Sequence, residues 1–167
     1  KVRSVSISGD GEYIAACHSG DEIILFDKDS STPLWTYEID EDCVSVEISR
    51  DGNYIVAGSE DDTVYFFEIS SSTPLWTYET DGDIGSVSLS GNGGDIVVLS
   101  EDDYFYHFKK NNNTPVLEYD CGDVEFATYN NEMRSRPSVS ISADGKFAMS
   151  SSSDGTTTEN TVFLFNL

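Results

Sequence analysis

A short pattern of alternating polar and aliphatic residues occurs four times in this chain, and it restricts the fold more than any other feature. Every copy begins and ends with serine, and an Asp-Gly or Asn-Gly pair follows two residues later. The copies are Ser4–Ser8, Ser45–Ser49, Ser86–Ser90 and Ser138–Ser142. They begin at residues 4, 45, 86 and 138, so the spacings are 41, 41 and 52 residues. Alternation with period two predicts a strand, and the turn pair predicts a hairpin after it.

Three more strands are predicted within each repeat. In the first repeat they lie at about residues 13–17, 23–26 and 34–39, separated by a loop at 18–22 and a polar turn at 27–33 that ends in proline. The third strand is apolar at every position, so both of its faces must be covered. A repeat of about 40 residues with four short strands is typical of a β-propeller blade, and stacked blades cover both faces of each sheet.

The predicted fold is therefore an all-β propeller of about four antiparallel four-stranded blades, in a single domain over residues 1–167. The blades fall at about 4–44, 45–85, 86–137 and 138–167. We expect the last blade to lack its outer strand, because the sequence ends after the third strand of that repeat. An unclosed edge invites pairing. We therefore expect a larger ring, completed by further blades of a longer protein or by a second copy in a homodimer; a closed four-bladed ring is the alternative.

Two segments resemble known repeats. Residues 25–35 and 66–76 each run from an apolar strand through a Ser-Thr-Pro turn to Leu-Trp, and they resemble the equivalent segment of quinoprotein-like (PQQ-type) propeller repeats. The Ser-x-Asp-Gly turns resemble the first hairpin of WD40-like repeats, although no Trp-Asp pair ends a third strand. The resemblance implies that first strands line a central channel. It also implies that the loops after the second and fourth strands share one face, where interaction sites usually lie. Trp35 and Trp76 are predicted to pack blade against blade.

The charge of the chain excludes several partners. It has 9 Lys and Arg against 31 Asp and Glu, a formal net charge of −22. Nucleic acid and anionic membrane surfaces both require clustered basic residues, so neither is expected to bind. No apolar run approaches the roughly 18 residues that a membrane helix needs. A basic protein partner fits the charge, and a merely solvated or salt-adapted surface is the alternative.

An insertion in the third repeat is the first candidate site. It lies within residues 122–137 and contains Arg, Tyr and Met, which are enriched in protein interfaces. Insertions in regular repeats form loops, often on the binding face. A tolerated surface loop, or one that packs on the channel mouth, is the alternative. The predicted partner-binding residues are Tyr129, Asn130, Asn131, Glu132, Met133, Arg134 and Arg136.

Acidic loops between the second and third strands are the second candidate site. By analogy with known propellers they form a ring on one face. Their residues are Asp21, Glu60, Asp61, Asp62, Glu101, Asp102, Asp103 and Asp154. Clustered carboxylates can attract Ca²⁺, but the spacing of an EF-hand is absent, so no metal is assigned. Plain polar turns are the alternative.

The sequence predicts neither catalytic residues nor a cofactor. His18 and His107 lie in different blades, and no nucleophile stands out beside either one. Cys17, Cys43 and Cys121 lack the spacing of metal ligands, and their odd number prevents full intramolecular pairing.

The function predicted from these features is a non-enzymatic interaction or scaffold module that binds a protein partner. It is expected outside the cell or at the cell surface, with the cytoplasm as the alternative. A quinone-dependent dehydrogenase-like enzyme is a second hypothesis; its anionic cofactor would need basic channel residues, of which the chain has few. A structural component of a surface layer or filament is a third.

Overall fold

The computed structural model describes residues 1–122, 127–129, 132–135, 138–153 and 160–167, and these contain strands and turns but no helix. Three four-stranded sheets and one three-stranded sheet are each antiparallel and follow the order of the chain, and a separate two-stranded hairpin lies between the third and fourth. This confirms the prediction of an all-β fold built from propeller-like blades. Across the described residues the fourth sheet has no outer strand, as expected.

Each sheet begins with its inner strand. The first contains β1 (Val2–Ile7), β2 (Tyr13–His18), β3 (Glu22–Asp27) and β4 (Trp35–Glu38). The second contains β5 (Cys43–Ile48), β6 (Tyr54–Ser59), β7 (Thr63–Glu68) and β8 (Trp76–Glu79). The third contains β9 (Ile84–Leu89), β10 (Asp95–Ser100), β11 (Tyr104–Lys109) and β12 (Leu117–Asp120). The hairpin is β13 (Ala127–Tyr129) and β14 (Glu132–Ser135), and the fourth sheet is β15 (Val139–Ile141), β16 (Phe147–Ser153) and β17 (Asn160–Asn166).

The last serine of the repeated pattern and the Asp-Gly pair together build the first hairpin of each sheet. In the first sheet, Ser8 Oγ donates to Asp10 Oδ1 (2.7 Å) and accepts from the N–H of Tyr13 (3.0 Å). Gly11 follows with a φ of 76°, in the left-handed region that favours glycine. Because the same contacts recur at Ser49, Ser90 and Ser142, the motif sets the same register in all four sheets.

The core lies between the sheets, in three separate clusters. Strands β7 and β11 are buried on both faces along Val64–Phe67 and Phe105–His107, as the sequence predicts for stacked blades. The same prediction is wrong for the first and fourth sheets. In β3, Ile24 is half-buried, and in β17, Leu164 is 72% exposed. Among the described residues, each terminal sheet has a neighbouring sheet on one side only, so the four sheets form an open stack and not a closed ring.

The two tryptophans join neighbouring sheets. Trp35 Nε1 donates to the carbonyl oxygen of Ile69 in the second sheet (2.9 Å), and its ring centroid lies 5.4 Å from that of Phe67. Trp76 repeats both contacts in the third sheet, with Lys110 O (2.9 Å) and Phe108 (5.4 Å). The predicted packing role of the tryptophans is confirmed, and the hydrogen bonds add a fixed orientation to the apolar contact.

Inner strands of neighbouring sheets are also joined, through the polar positions of the repeated pattern. Ser4 Oγ accepts from the N–H of Val46 (3.2 Å), and Ser6 Oγ accepts from the N–H of Ile48 (3.1 Å). The equivalent pairs are Ser45 with Val87, Glu47 with Leu89, Ser86 with Val139 and Ser88 with Ile141, at 3.0–3.3 Å. The alternation in the sequence predicts the strands, but these contacts between sheets were not predicted from it.

The insertion in the third repeat differs from the irregular loop that was predicted. It contains the antiparallel hairpin β13–β14, in which Thr128 pairs with Met133 and Tyr129 with Glu132. β-branched and aromatic residues such as Thr128 and Tyr129 favour strands, which explains the correction. Asn130 and Asn131 themselves lie outside the described residues.

Candidate interaction face

Two sets of loops meet at one end of the stack. The N–H of Glu60, in the turn between β6 and β7, donates to the carbonyl oxygen of Asp42 in the connection before β5 (3.0 Å). Glu101 and Asp83 form the same bond one repeat later (2.8 Å). We call this end the loop face. It consists of the turns at 19–21, 60–62 and 101–103 and the connections at 39–42 and 80–83.

Some of the acidic residues on the loop face serve the turn itself. Asp21, Asp62 and Asp103 occupy the same turn position and have φ values of 60°, 64° and 74°. Aspartate tolerates this left-handed conformation better than most residues with a side chain. The backbone geometry therefore explains why an acidic residue recurs at this position, whatever else these residues do.

Asp61 and Asp102 hold the turns by hydrogen bonds. Asp61 accepts from the N–H of Thr63 (3.0 Å) through Oδ1 and from the hydroxyl of Tyr65 (2.7 Å) through Oδ2. Asp102 makes the equivalent bonds with the N–H of Tyr104 (3.0 Å) and the hydroxyl of Tyr106 (2.7 Å). Burial, together with the neighbouring carboxylate, raises the pKa of both Tyr65 and Tyr106. These two aspartates are thus committed to the fold.

At the boundary between the first and second sheets, one arginine forms ion pairs with two acidic residues of the loop face. The Arg3 guanidinium donates to Glu60 Oε1 (2.9 Å) and forms a second ion pair with Asp42. Arg3 comes from β1, whereas its two partners lie in the connection before β5 and in the turn after β6. The arginine therefore connects the first sheet to both loops of the second.

At the next boundary the repeat has no arginine at the position equivalent to Arg3. Val44 stands where the repeat places Arg3, and Asp83 stands where it places Asp42. Burial is the main cause that raises the pKa of Asp83 to about 6, and Asp62 contributes both its charge and a side-chain hydrogen bond. The carboxyl groups of Asp62 and Asp83 therefore lie next to each other on the loop face, and we call them the Asp62–Asp83 pair.

The predicted site residues are distributed as follows. Seven of the eight acidic residues lie on the loop face, namely Asp21, Glu60, Asp61, Asp62, Glu101, Asp102 and Asp103. Asp154 lies outside the described residues. Of the insertion residues, Tyr129, Glu132, Met133 and Arg134 belong to the hairpin, and Asn130, Asn131 and Arg136 lie outside the described residues. A binding role for either set stays a prediction.

Sequence reasoning missed Arg3, Asp42 and Asp83, because their contacts depend on which sheets become neighbours. One signal was available. Asp61 and Tyr65 are four residues apart, and so are Asp102 and Tyr106. This repeated spacing across a tight turn would have indicated that the two aspartates bond to the tyrosines.

The inner strands line an open groove of about 270 Å³ on the channel side. Its charged lining residues are Glu47 and Arg50. Glu47 Oε2 accepts from the N–H of Leu89 (3.0 Å), and burial raises the pKa of Glu47. The lining therefore offers one basic side chain to an anionic ligand, which gives little support to the quinone hypothesis.

His107 and the three cysteines are buried in the core. His107 Nε2 lies 2.7 Å from Asp95 Oδ1 in a buried position, and burial lowers the pKa of His107. Cys17, Cys43 and Cys121 are buried free thiols. Within the described ranges, no group of three or more His, Cys, Asp and Glu side chains is placed to hold a metal ion.

Comparison with known proteins supports part of the resemblance. The family model for the WD domain, G-beta repeat, matches residues 31–68. This segment contains β4 of the first sheet and ends with the last residue of β7 in the second. WD40 domains generally mediate protein–protein interactions and are usually scaffolds without enzymatic activity. The quinoprotein-like part of the resemblance stays a prediction, and no curated protein matches the chain. In the part of the chain that the structure describes, no helix is long and apolar enough to cross a membrane.

Proposed function

We propose that this chain is a protein-interaction module whose loop face, together with the hairpin β13–β14, binds a basic segment of a partner protein. A WD40-like repeat and propeller-like sheets are typical of interaction scaffolds, and the net charge of −22 favours a basic partner. Location outside the cell or at its surface belongs to the same proposal. The Asp62–Asp83 pair is the observation that carries it.

The first boundary of the stack shows what the Asp62–Asp83 pair lacks. There, Arg3 neutralises Asp42 and contacts the neighbouring turn. The second boundary has the same backbone arrangement, with Asp83 in place of Asp42 and a valine in place of the arginine. A guanidinium or ammonium group from a partner would occupy the position of Arg3 and favour the ionised form of Asp83. The loop face thus has a site for one basic side chain, with further acidic residues around it.

The hairpin β13–β14 adds a different kind of contact. It lies along the chain directly before the fourth sheet and carries Tyr129, Met133 and Arg134. These residue types are enriched where protein surfaces meet. We propose that the acidic pair orients the partner by charge, while the hairpin provides apolar contact area.

Selection from a random peptide library, with the immobilised chain as the target, tests this proposal. We expect the selected peptides to be enriched in Arg and Lys. Their affinity should fall roughly tenfold in an Asp62→Asn, Asp83→Asn double variant, and with rising salt, because exposed ionic contacts are screened. The control variant carries Asp29→Asn and Glu68→Gln, which remove the same charge from exposed positions at the opposite end of the sheets.

Two results would contradict the proposal. One is a selection without enrichment in basic residues. The other is an equal loss of affinity in both double variants, which would mean that net charge alone attracts the peptides. Replacing residues 127–135 by a Gly-Ser linker tests the hairpin separately; unchanged affinity would remove β13–β14 from the binding surface.

A further inference from the structure

The open stack leaves one sheet face uncovered at its first end. We call it the head face: the side of the first sheet that points away from the second. On it, Val5 is 65% exposed and Ile7 is 60% exposed. The equivalent residues of the second and third sheets are Val46, Ile48, Val87 and Leu89, and each is 4% exposed because the preceding sheet covers it. The head face is thus an internal packing surface without its neighbour.

A second uncovered face lies at the other end of the stack. We call it the tail face: the side of the fourth sheet that points away from the third. Its residues Phe147, Met149, Val162 and Leu164 are 50%, 51%, 63% and 72% exposed. Met149, Val162 and Leu164 occupy the same repeat positions as three residues of the second sheet. Those residues are Val56, Val64 and Phe66, and the following sheet buries them completely. Exposed apolar surface of this kind marks an interaction site.

Polar groups on the two faces match each other as they do inside the chain. At each internal boundary, side chains of the inner strand accept hydrogen bonds from the N–H groups of the next inner strand. On the tail face, Ser138 and Ser140 occupy the two acceptor positions. On the head face, the N–H groups of Val5 and Ile7 occupy the two donor positions. Tail and head therefore form a complementary pair, whereas two heads or two tails would not.

A backbone contact adds a third bond at each boundary, and here the earlier sheet is the donor. The N–H of Gly9 donates to the carbonyl oxygen of Arg50 in the next sheet (2.9 Å), and the N–H of Gly91 donates to that of Ala143 (2.9 Å). At the middle boundary the donor is the next residue along, since the N–H of Asp51 donates to the carbonyl oxygen of Gly91 (3.0 Å). The tail face therefore offers the N–H of Ala143 or Asp144, and the head face offers the carbonyl oxygen of Gly9. The inferred contact thus has three hydrogen bonds in addition to its apolar residues.

We propose that the head face of one chain packs on the tail face of a second copy and continues the stack. The occupant is a second copy because the two faces of this one chain supply matching apolar surfaces and matching donors and acceptors, in the arrangement that already joins its sheets. Such a contact is heterologous, so two copies either close a ring through two identical interfaces or extend into longer assemblies. The Asp62–Asp83 pair lies at the boundary of the second and third sheets, away from the head and tail faces, so this inference and the proposed binding function can fail independently.

Charge sets the conditions under which the contact forms. Each copy carries a formal charge of −22, so two copies repel each other at low ionic strength. At about 1 M salt the screening length falls to roughly 3 Å, and the apolar contact then dominates. We expect association to strengthen as the salt concentration rises, opposite to the effect expected for the loop face.

Sedimentation velocity and light scattering over a concentration series, at about 0.15 M and about 1 M salt, test the inference. The wild-type chain should reach a dimer or a larger assembly at high salt. Val5→Asp on the head face and Leu164→Asp on the tail face should each weaken association by roughly 30-fold or more, because a charge would be buried at the contact. Leu75→Asp is the control, since Leu75 is 52% exposed but lies on neither face. Circular dichroism checks that each variant is folded.

Mixing the two variants distinguishes a head-to-tail contact from other modes. Val5→Asp retains an intact tail and Leu164→Asp retains an intact head, so the mixture should form dimers through one wild-type interface while each variant alone stays monomeric. A wild-type chain that is monomeric at every concentration and salt would overturn the inference. So would loss of association in only one of the two variants, which would indicate a head-to-head or tail-to-tail contact.

Discussion

Neutralising one carboxylate at two equivalent positions should change stability in opposite directions. Asp42 and Asp83 precede the inner strands of the second and third sheets, and both accept a backbone hydrogen bond through their carbonyl oxygen from the turn beside them. Asp42 forms an ion pair with Arg3, whereas Asp83 lies beside Asp62. We therefore predict that Asp83→Asn stabilises the protein at pH 7.5 and that Asp42→Asn destabilises it.

The magnitude follows from the pKa of Asp83, which rises from 3.8 to about 6 on folding. For a fully buried group, such a rise corresponds to roughly 3 kcal/mol of unfavourable free energy in the ionised state. Asp83 is only half-buried, so solvent screening reduces the effect to about 1 kcal/mol. Asp42→Asn removes a partly exposed ion pair, for which a loss of about 0.5–1 kcal/mol is typical.

Because the pKa of Asp83 is raised on folding, the stability gained by Asp83→Asn should depend on pH. The pKa of Asp83 is higher in the folded state than in the unfolded state. Below about pH 4 both states are protonated and the substitution has no electrostatic effect. Between about pH 4 and pH 6 the unfolded chain ionises first, and the benefit of Asp83→Asn develops. Above about pH 6 the benefit is complete.

Urea denaturation of the wild-type chain and both variants, at pH 7.5 and at pH 4, measures these differences. The reasoning is refuted if Asp83→Asn destabilises the chain at pH 7.5 as Asp42→Asn does. It is also refuted if the gain from Asp83→Asn is equally large at pH 4, because an electrostatic cause requires that gain to disappear when Asp83 is protonated.

Three further predictions concern packing and turns. Trp76→Phe should lower the free energy of unfolding by about 1 kcal/mol, measured by urea denaturation, since it leaves the carbonyl oxygen of Lys110 without its donor; no loss would mean that water replaces the indole. Cys17 and Cys43 should react with a maleimide only after denaturation, because both are fully buried and burial raises the pKa of Cys43; labelling of the native protein, detected by mass spectrometry, would contradict this. Gly11→Ala should lower the thermal midpoint by an amount corresponding to about 1 kcal/mol, because the left-handed φ of 76° strains a side chain although the space is open.

The strands and first hairpins of the sheets could be predicted from the sequence, because the contacts that form them are local. Ser8, Asp10 and Gly11 lie within four positions of one another, and their hydrogen bonds and backbone angle produce the turn wherever the motif occurs. Alternation then places Val5 and Ile7 on one side of the strand. A regular spacing of such units predicts stacked sheets without any knowledge of what each sheet touches.

Which faces of each sheet are buried by a neighbouring sheet could not be predicted in this way. The apolar residues of β7 and β17 follow the same pattern, yet Phe66 is completely buried and Leu164 is 72% exposed. The difference arises from the neighbour of each sheet and not from the strand itself. The hairpin β13–β14 was predicted as a loop for a related reason, since an insertion interrupts the repeat and its own short alternation gives a weak signal.

On the loop face, the sequence identified which positions are acidic, and the tertiary structure decided what each carboxylate does. Asp61 holds a turn through Tyr65, Asp42 pairs with Arg3, and Asp83 is left beside Asp62. Likewise, Trp35 reaches the carbonyl oxygen of Ile69, and Ser4 reaches the N–H of Val46, 42 residues away. Composition and periodicity determine which bonds a side chain is able to form. Stacking of the sheets determines which partner it meets, because partners so far apart in the chain become neighbours only after the fold is complete.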